Sequence, residues 1–262
     1  MRKNFVVTCL LAVAFLFSAT FASAALVTQW SYTNDANFVD WLNDANTQDF
    51  MSVSGDSNTL FWGEPSDVPG SNPDQLQSSL VLNAPVSGDN LFTFGSAVNV
   101  VSITHYNNIL SSEYPTLAWG QVEATIQFTP FDPAGPAKSI DPAYLEFMFY
   151  ETPNDDVTPM DIFILTNPGL TSGSFNYDGY KYDFDFNSEG FGLIEGAYHD
   201  FIVDKTGVDT DYFGWYTSED NSTSGQFNLS ITASPVPEPA TMLLLGAGLL
   251  GLGIAVRRNK KN

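Results

Sequence analysis

The sequence has almost no cysteine. Its one cysteine, Cys9, lies in an apolar stretch close to the first residue. No disulfide can therefore stabilise the rest of the chain, and a folded domain there depends on its hydrophobic core. Roughly 205 residues, from Ala25 to about Ser230, suffice for one sizeable domain, because single all-β domains often reach this size.

Basic residues are also scarce. Nine Lys and Arg stand against 30 Asp and Glu, which gives a net charge of −21. All acidic residues except Glu238 lie between Asp35 and Asp220, and the only basic residues in that stretch are Lys138, Lys181 and Lys205. Binding of nucleic acid or anionic lipid requires clustered Lys and Arg, so the composition excludes nucleic acid as a partner.

Residue patterns for common catalytic chemistry are missing as well. The two histidines, His105 and His199, are too few for a histidine-rich zinc site. The chain has no G-x-S-x-G, no P-loop and no dinucleotide-binding fingerprint. We therefore predict that the protein is not an enzyme. A secreted hydrolase with paired carboxylates is one alternative, and a carbohydrate-binding module that uses some of the five tryptophans is another.

The N-terminal residues have the three parts of a secretory signal peptide. Arg2 and Lys3 precede an apolar run from Phe5 to about Phe17, and Ala22-Ser23-Ala24 follows. This order predicts a signal helix within residues 1–24, export by the Sec machinery and cleavage by signal peptidase between Ala24 and Ala25.

The C-terminal residues also show three features in a fixed order. Pro237-Glu238-Pro239 comes first, an uncharged run from Ala240 to Val256 follows, and four basic residues come last: Arg257, Arg258, Lys260 and Lys261. The run is near the lower limit of about 17 residues for a membrane-spanning helix. The basic residues would remain on the cytoplasmic side. We therefore predict a short transmembrane helix over about 240–256.

These C-terminal features resemble the PEP-CTERM sorting signal, here residues 234–262. The resemblance implies recognition by an exosortase, with cleavage near Pro237-Glu238-Pro239. It also implies a Gram-negative bacterium that makes exopolysaccharide. The protein would first be anchored in the inner membrane by its C-terminal helix and then reach the cell surface, the outer membrane or the extracellular matrix. A plain single-span anchor is the alternative.

The region between the two ends reads as β-strands. In "QVEATIQF", Val122, Ala124, Ile126 and Phe128 alternate with polar residues, and "YKYDFDFN" from Tyr180 repeats the pattern. Asp178-Gly179 before it predicts a two-residue hairpin turn that pairs Phe175 with Tyr182. Further strands are expected at "LVTQWSY", "NTLFWG", "SSLVLN", "LFTFG", "VNVVSIT", "AYLEFMFY", "DIFILT" and "FNLSITA".

Only "NDANFVDWLNDA", with Phe38, Trp41 and Leu42 spaced by three and four, predicts a short helix in this region. Ten or so strands with frequent turn residues favour an all-β domain over residues 25–233. The predicted architecture is an antiparallel β-sandwich or jelly roll.

Thr104, His105 and Asn107 match the T-H-x-N signature of a family of PEP-CTERM proteins. "FWGEP", "QSSLVL" and "FYETPN" also resemble that family. The resemblance implies no particular activity. Strand alternation places His105 and Asn107 on the same face as Val101 and Ile103. We therefore predict a buried, structural His105 whose ring is hydrogen-bonded, with a catalytic His105 as the alternative.

An acidic segment offers calcium ligands. Asp183, Asp185, Asn187 and Glu189 occupy alternate positions, and Asp209 and Asp211 follow later. Calcium loops need a glycine where Ser188 stands, so we predict a solvated strand face and no cofactor, with calcium binding as an alternative. The expected function is a structural or adhesive role near exopolysaccharide.

Overall fold

A computed structural model describes residues 25–64, 77–152, 158–167 and 172–236, together with residues 246, 248, 249 and 251. The predicted signal helix, Ala24, the Pro237-Glu238-Pro239 motif and most of the predicted membrane helix lie outside the described residues.

The chain divides into two compact units. One consists of Met1–Leu26, Tyr177–Tyr180 and Pro235–Asn262. Within it, the backbone N–H of Ala25 donates a hydrogen bond to the Asp178 carboxylate, 3.0 Å away. The other unit consists of Val27–Asn176 and Lys181–Ser234, and it contains the site described below.

The described residues between 25 and 236 form fifteen β-strands and one α-helix. In chain order, the strands are β1 (Gln29–Asn43), β2 (Met51–Val53), β3 (Thr59–Trp62), β4 (Ser78–Asn83), β5 (Val86–Phe92), β6 (Val98–Asn107), β7 (Leu117–Asp132), β8 (Lys138–Ser139), β9 (Ala143–Tyr150), β10 (Met160–Leu165), β11 (Ser172–Tyr177), β12 (Tyr180–Glu189), β13 (Gly192–Leu193), β14 (Phe213–Ser218) and β15 (Asn221–Pro235). Helix α1 (Gly196–Thr206) lies between β13 and β14.

The strands form two antiparallel sheets. The order in one is β13-β14-β10-β9-β7-β1-β5, with β8 also paired to β7. The order in the other is β11-β12-β15-β6-β4-β3-β2. The prediction of an antiparallel all-β domain is confirmed.

Both sheets contribute to one large hydrophobic cluster. Phe147, Phe163 and Trp215 come from the first sheet, whereas Leu80 and Ile103 come from the second. The rings of Phe163 and Trp215 stack with centroids 4.0 Å apart and planes inclined by 7°. The alternation of side chains along each strand directs every second residue into this shared core.

Helix α1 covers the opposite face of the first sheet. Its buried residue Ile202 belongs to a second cluster with Ile162 and Ile164 of β10. The helix ends at Gly207, which has a left-handed φ of 70° and whose backbone N–H bonds to the carbonyl of Val203. The sequence reading did not predict this helix.

The predicted helix at residues 34–45 is wrong, because β1 runs through most of this segment. The pairing of β1 with β7 shifts between Phe38 and Asp40, as in a β-bulge. A bulge adds one residue to a strand and changes which residues point inward. The spacing of three between Phe38 and Trp41 therefore imitated a helical period.

Candidate functional site

Acidic side chains lie at one end of three neighbouring strands, on the side that faces the core. Phe147 and Phe149 of β9 point into the core, so the same alternation carries Glu151 to that face. Asp161 precedes the core residue Phe163 on β10 by two positions, and Glu219 follows the core residue Trp215 of β14 by four.

Strand pairing brings these acids together. Thr217 lies directly opposite Asp161, and Ile162 opposite Tyr150. If the antiparallel pairing of β9 with β10 is continued by one residue beyond Tyr150 and Ile162, Glu151 lies beside Asp161. One carboxylate oxygen from each of Glu151, Asp161 and Glu219 lies within 4.8 Å of the other two. Among the residues that the structure describes, this is the one group of three acids or histidines with such close ligand atoms.

Hydrogen bonding in this acidic cluster is incomplete. The backbone N–H of Thr152 donates to Asp161 Oδ1 over 2.9 Å. Asp161 itself is fully buried, whereas Glu151 and Glu219 are partly exposed. Three buried oxygens have no hydrogen-bond partner in the described part of the chain: Glu151 Oε2, Asp161 Oδ2 and the hydroxyl of Thr217.

Burial changes the ionisation of these carboxyl groups. It raises the pKa of Glu151 well above its usual range, and the nearby Asp161 and Glu219 raise it further. The Trp62 indole N–H opposes this rise, although it makes no hydrogen bond of normal geometry to a described residue. Burial also raises the pKa of Asp161 to about 7, against the opposing effect of the Thr152 N–H. The cluster therefore favours a shared proton or a bound cation.

The T-H-x-N residues lie on β6 in the opposite sheet. Asn107 is buried and donates from Nδ2 to the carbonyl oxygen of Thr217, 3.0 Å away, so it connects β6 to the strand that carries part of the acidic cluster. Thr104 points the other way, and its hydroxyl lies 2.8 Å from that of Ser224.

His105 is fully buried, as the strand alternation predicts. Its ring stacks on Trp62, with centroids 5.5 Å apart and planes inclined by 19°, and meets Phe149 edge-on at 4.8 Å. The predicted hydrogen bond is not found, since neither ring nitrogen has a partner among the described residues. Burial lowers the pKa of His105 to about 3, so the ring is neutral.

The calcium candidates from the sequence lie elsewhere. Asp183 pairs with Lys181 over 2.5 Å, and Asp185, Asn187 and Glu189 are exposed on β12. Asp209 and Asp211 are exposed after α1, where Asp209 lies 3.6 Å from His199. In the described ranges, no three of these carboxylates meet in one close group. Calcium binding at these residues stays a prediction.

The tryptophans that suggested a sugar platform are mostly internal. Trp30, Trp62 and Trp215 are buried in the core, so these three cannot form a surface for a sugar ring. A cavity of about 210 Å³ lies between the sheets, but its lining is largely apolar and includes Ile126, Leu145, Phe184 and Phe227. It has few polar groups that could orient a carbohydrate.

The sequence reading missed Glu151, Asp161 and Glu219. The sequence did contain an indication of them, namely an acidic residue at a position where the alternation of the strand expects a core residue. Glu151 continues the alternation of Phe147 and Phe149, and Asp161 stands two residues before Phe163. A charged residue in such a position needs a partner or a role.

Comparison with known protein families gives a match for the C-terminal residues. Residues 235–259 match the family model described as the PEP-CTERM protein-sorting motif. No curated protein matches the chain. Among the described residues, no helix has the length and apolar character needed to span a membrane. The match includes Pro237, Glu238 and Pro239, and such a motif implies export, an exosortase as processing partner and exosortase-dependent sorting to the surface. The chain thus carries a PEP-CTERM protein-sorting motif at residues 235–259.

Proposed function

We propose that this protein is a structural or adhesive component of the cell surface or extracellular matrix, associated with exopolysaccharide. The carrying observation is the sorting motif at residues 235–259, which follows an antiparallel β domain with few basic residues. Both sheets contribute to one hydrophobic core, as in a sandwich or jelly roll. Such a core can stabilise a surface domain without disulfides. The T-H-x-N residues support membership in that subgroup of PEP-CTERM proteins.

The proposed route begins with export by the Sec machinery and cleavage between Ala24 and Ala25. The helix at about 240–256 then holds the chain in the inner membrane until an exosortase cleaves near Pro237-Glu238-Pro239. Cleavage by signal peptidase would convert the Ala25 N–H into an α-ammonium group. That group would lie beside the Asp178 carboxylate, to which the N–H already donates.

The role is non-enzymatic in this proposal. A glycosidase needs two carboxyl groups that a sugar can reach, and in the acidic cluster Glu151 Oε2, Asp161 Oδ2 and Glu219 Oε2 are all buried. A carbohydrate-binding module is the second candidate. A glycan array probed with the purified protein separates it from the structural role, because only the binding module predicts saturable recognition of a defined oligosaccharide.

Processing tests the sorting step. Mass spectrometry of the surface protein from an exosortase-producing host is expected to place its last residue between Pro237 and Ala240. Glu238→Ala is expected to leave the full-length chain in the inner membrane, while Glu189→Ala, a control at an exposed strand position, is processed normally. An intact Lys261 on the wild-type surface protein would contradict exosortase cleavage.

The matrix role needs a separate measurement. Cells that lack the protein are expected to retain less exopolysaccharide at their surface, and restoring the wild-type gene is expected to reverse the loss. Unchanged retention, with the protein correctly processed in wild-type cells, would refute the matrix role and leave the sorting step intact.

A further inference from the structure

Three carboxylates converge in the acidic cluster formed by Glu151, Asp161 and Glu219, and no basic side chain among the described residues pairs with them. The lysines between residues 25 and 236 are all described and all elsewhere: Lys181 pairs with Asp183, Lys205 lies over the ring of Phe201, and Lys138 is exposed on β8. There is no arginine in this stretch. Burying carboxylates without a positive partner is costly, so their charge must be offset either by protons or by a bound cation.

A second observation points to a ligand in the same place. Thr217 is the cross-strand partner of Asp161, so its side chain lies on the same face of the sheet at short range. It is 1% exposed, and its hydroxyl oxygen has no hydrogen-bond partner among the described residues. A buried hydroxyl normally has such a partner. This oxygen therefore adds a buried hydroxyl, without a hydrogen-bond partner among the described residues, beside the three carboxylates.

The geometry of these oxygens suits a metal ion. Calcium binds oxygen ligands at about 2.3–2.6 Å, so two ligands on opposite sides of the ion are about 4.6–5.2 Å apart. The three carboxylate oxygens lie within 4.8 Å of one another, which is compatible with a common ion and little movement. Glu151 Oε2, Asp161 Oδ2 and Glu219 Oε2 are all buried, so an ion bound among them would be shielded from bulk water.

We propose that Glu151, Asp161 and Glu219 bind a divalent cation of the oxygen-preferring class, Ca²⁺ in the first place, and that the Thr217 hydroxyl supplies a further ligand. The ion would join β9, β10 and β14 at one end of the core. It would also support the strand that receives the hydrogen bond from Asn107. The site is distinct from the acidic face of β12, whose side chains point to solvent.

Titration of the purified, chelator-treated protein with CaCl₂, and separately with MgCl₂, tests the proposal by calorimetry and thermal melting. We expect one saturable site for at least one of the two ions, together with a higher melting temperature that EDTA reverses. Asp161→Asn retains the side-chain shape but removes a charge, and it is expected to weaken this binding by at least about tenfold.

Matched variants separate this site from general attraction to an acidic protein. Asp185→Asn removes the same charge from the exposed face of β12 and is expected to leave binding and the melting shift unchanged. Glu219→Gln provides a second test at a partly exposed position if Asp161→Asn does not fold. Absence of saturable binding of both ions would overturn the proposal. So would wild-type binding by Glu219→Gln, or a loss of binding in Asp185→Asn alone.

Discussion

The Asn107 side chain crosses from one sheet to the other and donates to the carbonyl oxygen of Thr217 over 3.0 Å. It is 1% exposed, so water cannot replace this bond. The Asn of the T-H-x-N signature thus joins β6 to β14, beside the acidic cluster.

Loss of that bond is expected to destabilise the domain. Asn107→Ala leaves the Thr217 carbonyl without its side-chain donor and opens a small cavity, so we expect a decrease of about 1–3 kcal/mol in the free energy of unfolding. Urea denaturation measures it. Asn187→Ala, at an exposed position of β12, serves as the control and is expected to unfold like the wild type. Equal stability of the two variants would show that the connection is dispensable.

His105 makes the stability of the protein sensitive to acid. Its pKa falls from the ordinary 6.5 to about 3 in the folded state because the ring is buried. Because the pKa of His105 is lower in the folded state than in the unfolded state, protonation favours the unfolded chain. The contribution of the neutral ring to the free energy of unfolding is therefore fully present above pH 6.5 and is lost as the pH falls toward 3. Protonation of His105 in the unfolded chain is expected to make the free energy of unfolding about 2 kcal/mol lower at pH 5 than at pH 7.5.

Replacement of the ring isolates this effect from those of other titrating groups. His105→Phe keeps an aromatic side chain between Trp62 and Phe149 but removes the proton site. The free energy of unfolding of the variant relative to wild type, measured at pH 7.5 and pH 5, is expected to increase by about 2 kcal/mol at the lower pH. His199→Phe is the control. The same difference at both pH values would contradict a buried neutral His105.

Gly214 and Gly192 form a matched pair, because they lie opposite each other on β14 and β13. A Cβ atom on Gly214 would overlap the carbonyl oxygen of Phe163, whereas one on Gly192 meets nothing within 4 Å. Gly214→Ala is therefore expected to cost about 1–3 kcal/mol of stability, and Gly192→Ala very little. Thermal melting of both variants provides the comparison, and similar melting temperatures would mean that β14 can shift away from β10.

Helix α1 is expected to contribute to stability through Ile202, which is fully buried. Ile202→Ala removes this contact with Ile162 and Ile164, at an expected cost of about 2–5 kcal/mol. Val208→Ala, just after the helix and 53% exposed, is the control. Urea denaturation that fails to distinguish the two variants would show that the helix is not coupled to the sheet.

Local patterns predicted much of the fold. Asp178 and Gly179 both have positive φ angles, as the two-residue hairpin requires. Phe175 and Tyr182 stack with centroids 5.5 Å apart, in agreement with the predicted pairing. The prediction of a strand at "AYLEFMFY" coincides with β9. These features depend on residues near one another in sequence.

Features that depend on distant residues were not predicted. Asp161 and Glu219 are far apart in the chain, and only the pairing of β10 with β14 brings them near each other. Helix α1 has a weakly amphipathic sequence with one fully buried side chain, so its helical period is faint. The surroundings of His105 were missed for a similar reason, since Trp62 and Phe149 come from β3 and the opposite sheet.

The first and last strands occupy interior positions, β1 between β7 and β5, and β15 between β12 and β6. The β11–β12 hairpin therefore has no neighbour in its sheet until residues 221–235 are in place. A chain that is still being made, or is still threading through a narrow channel, cannot complete either layer. Pairing between such distant segments is slow, so the order of the strands favours completion of both sheets only after the whole domain has left that channel.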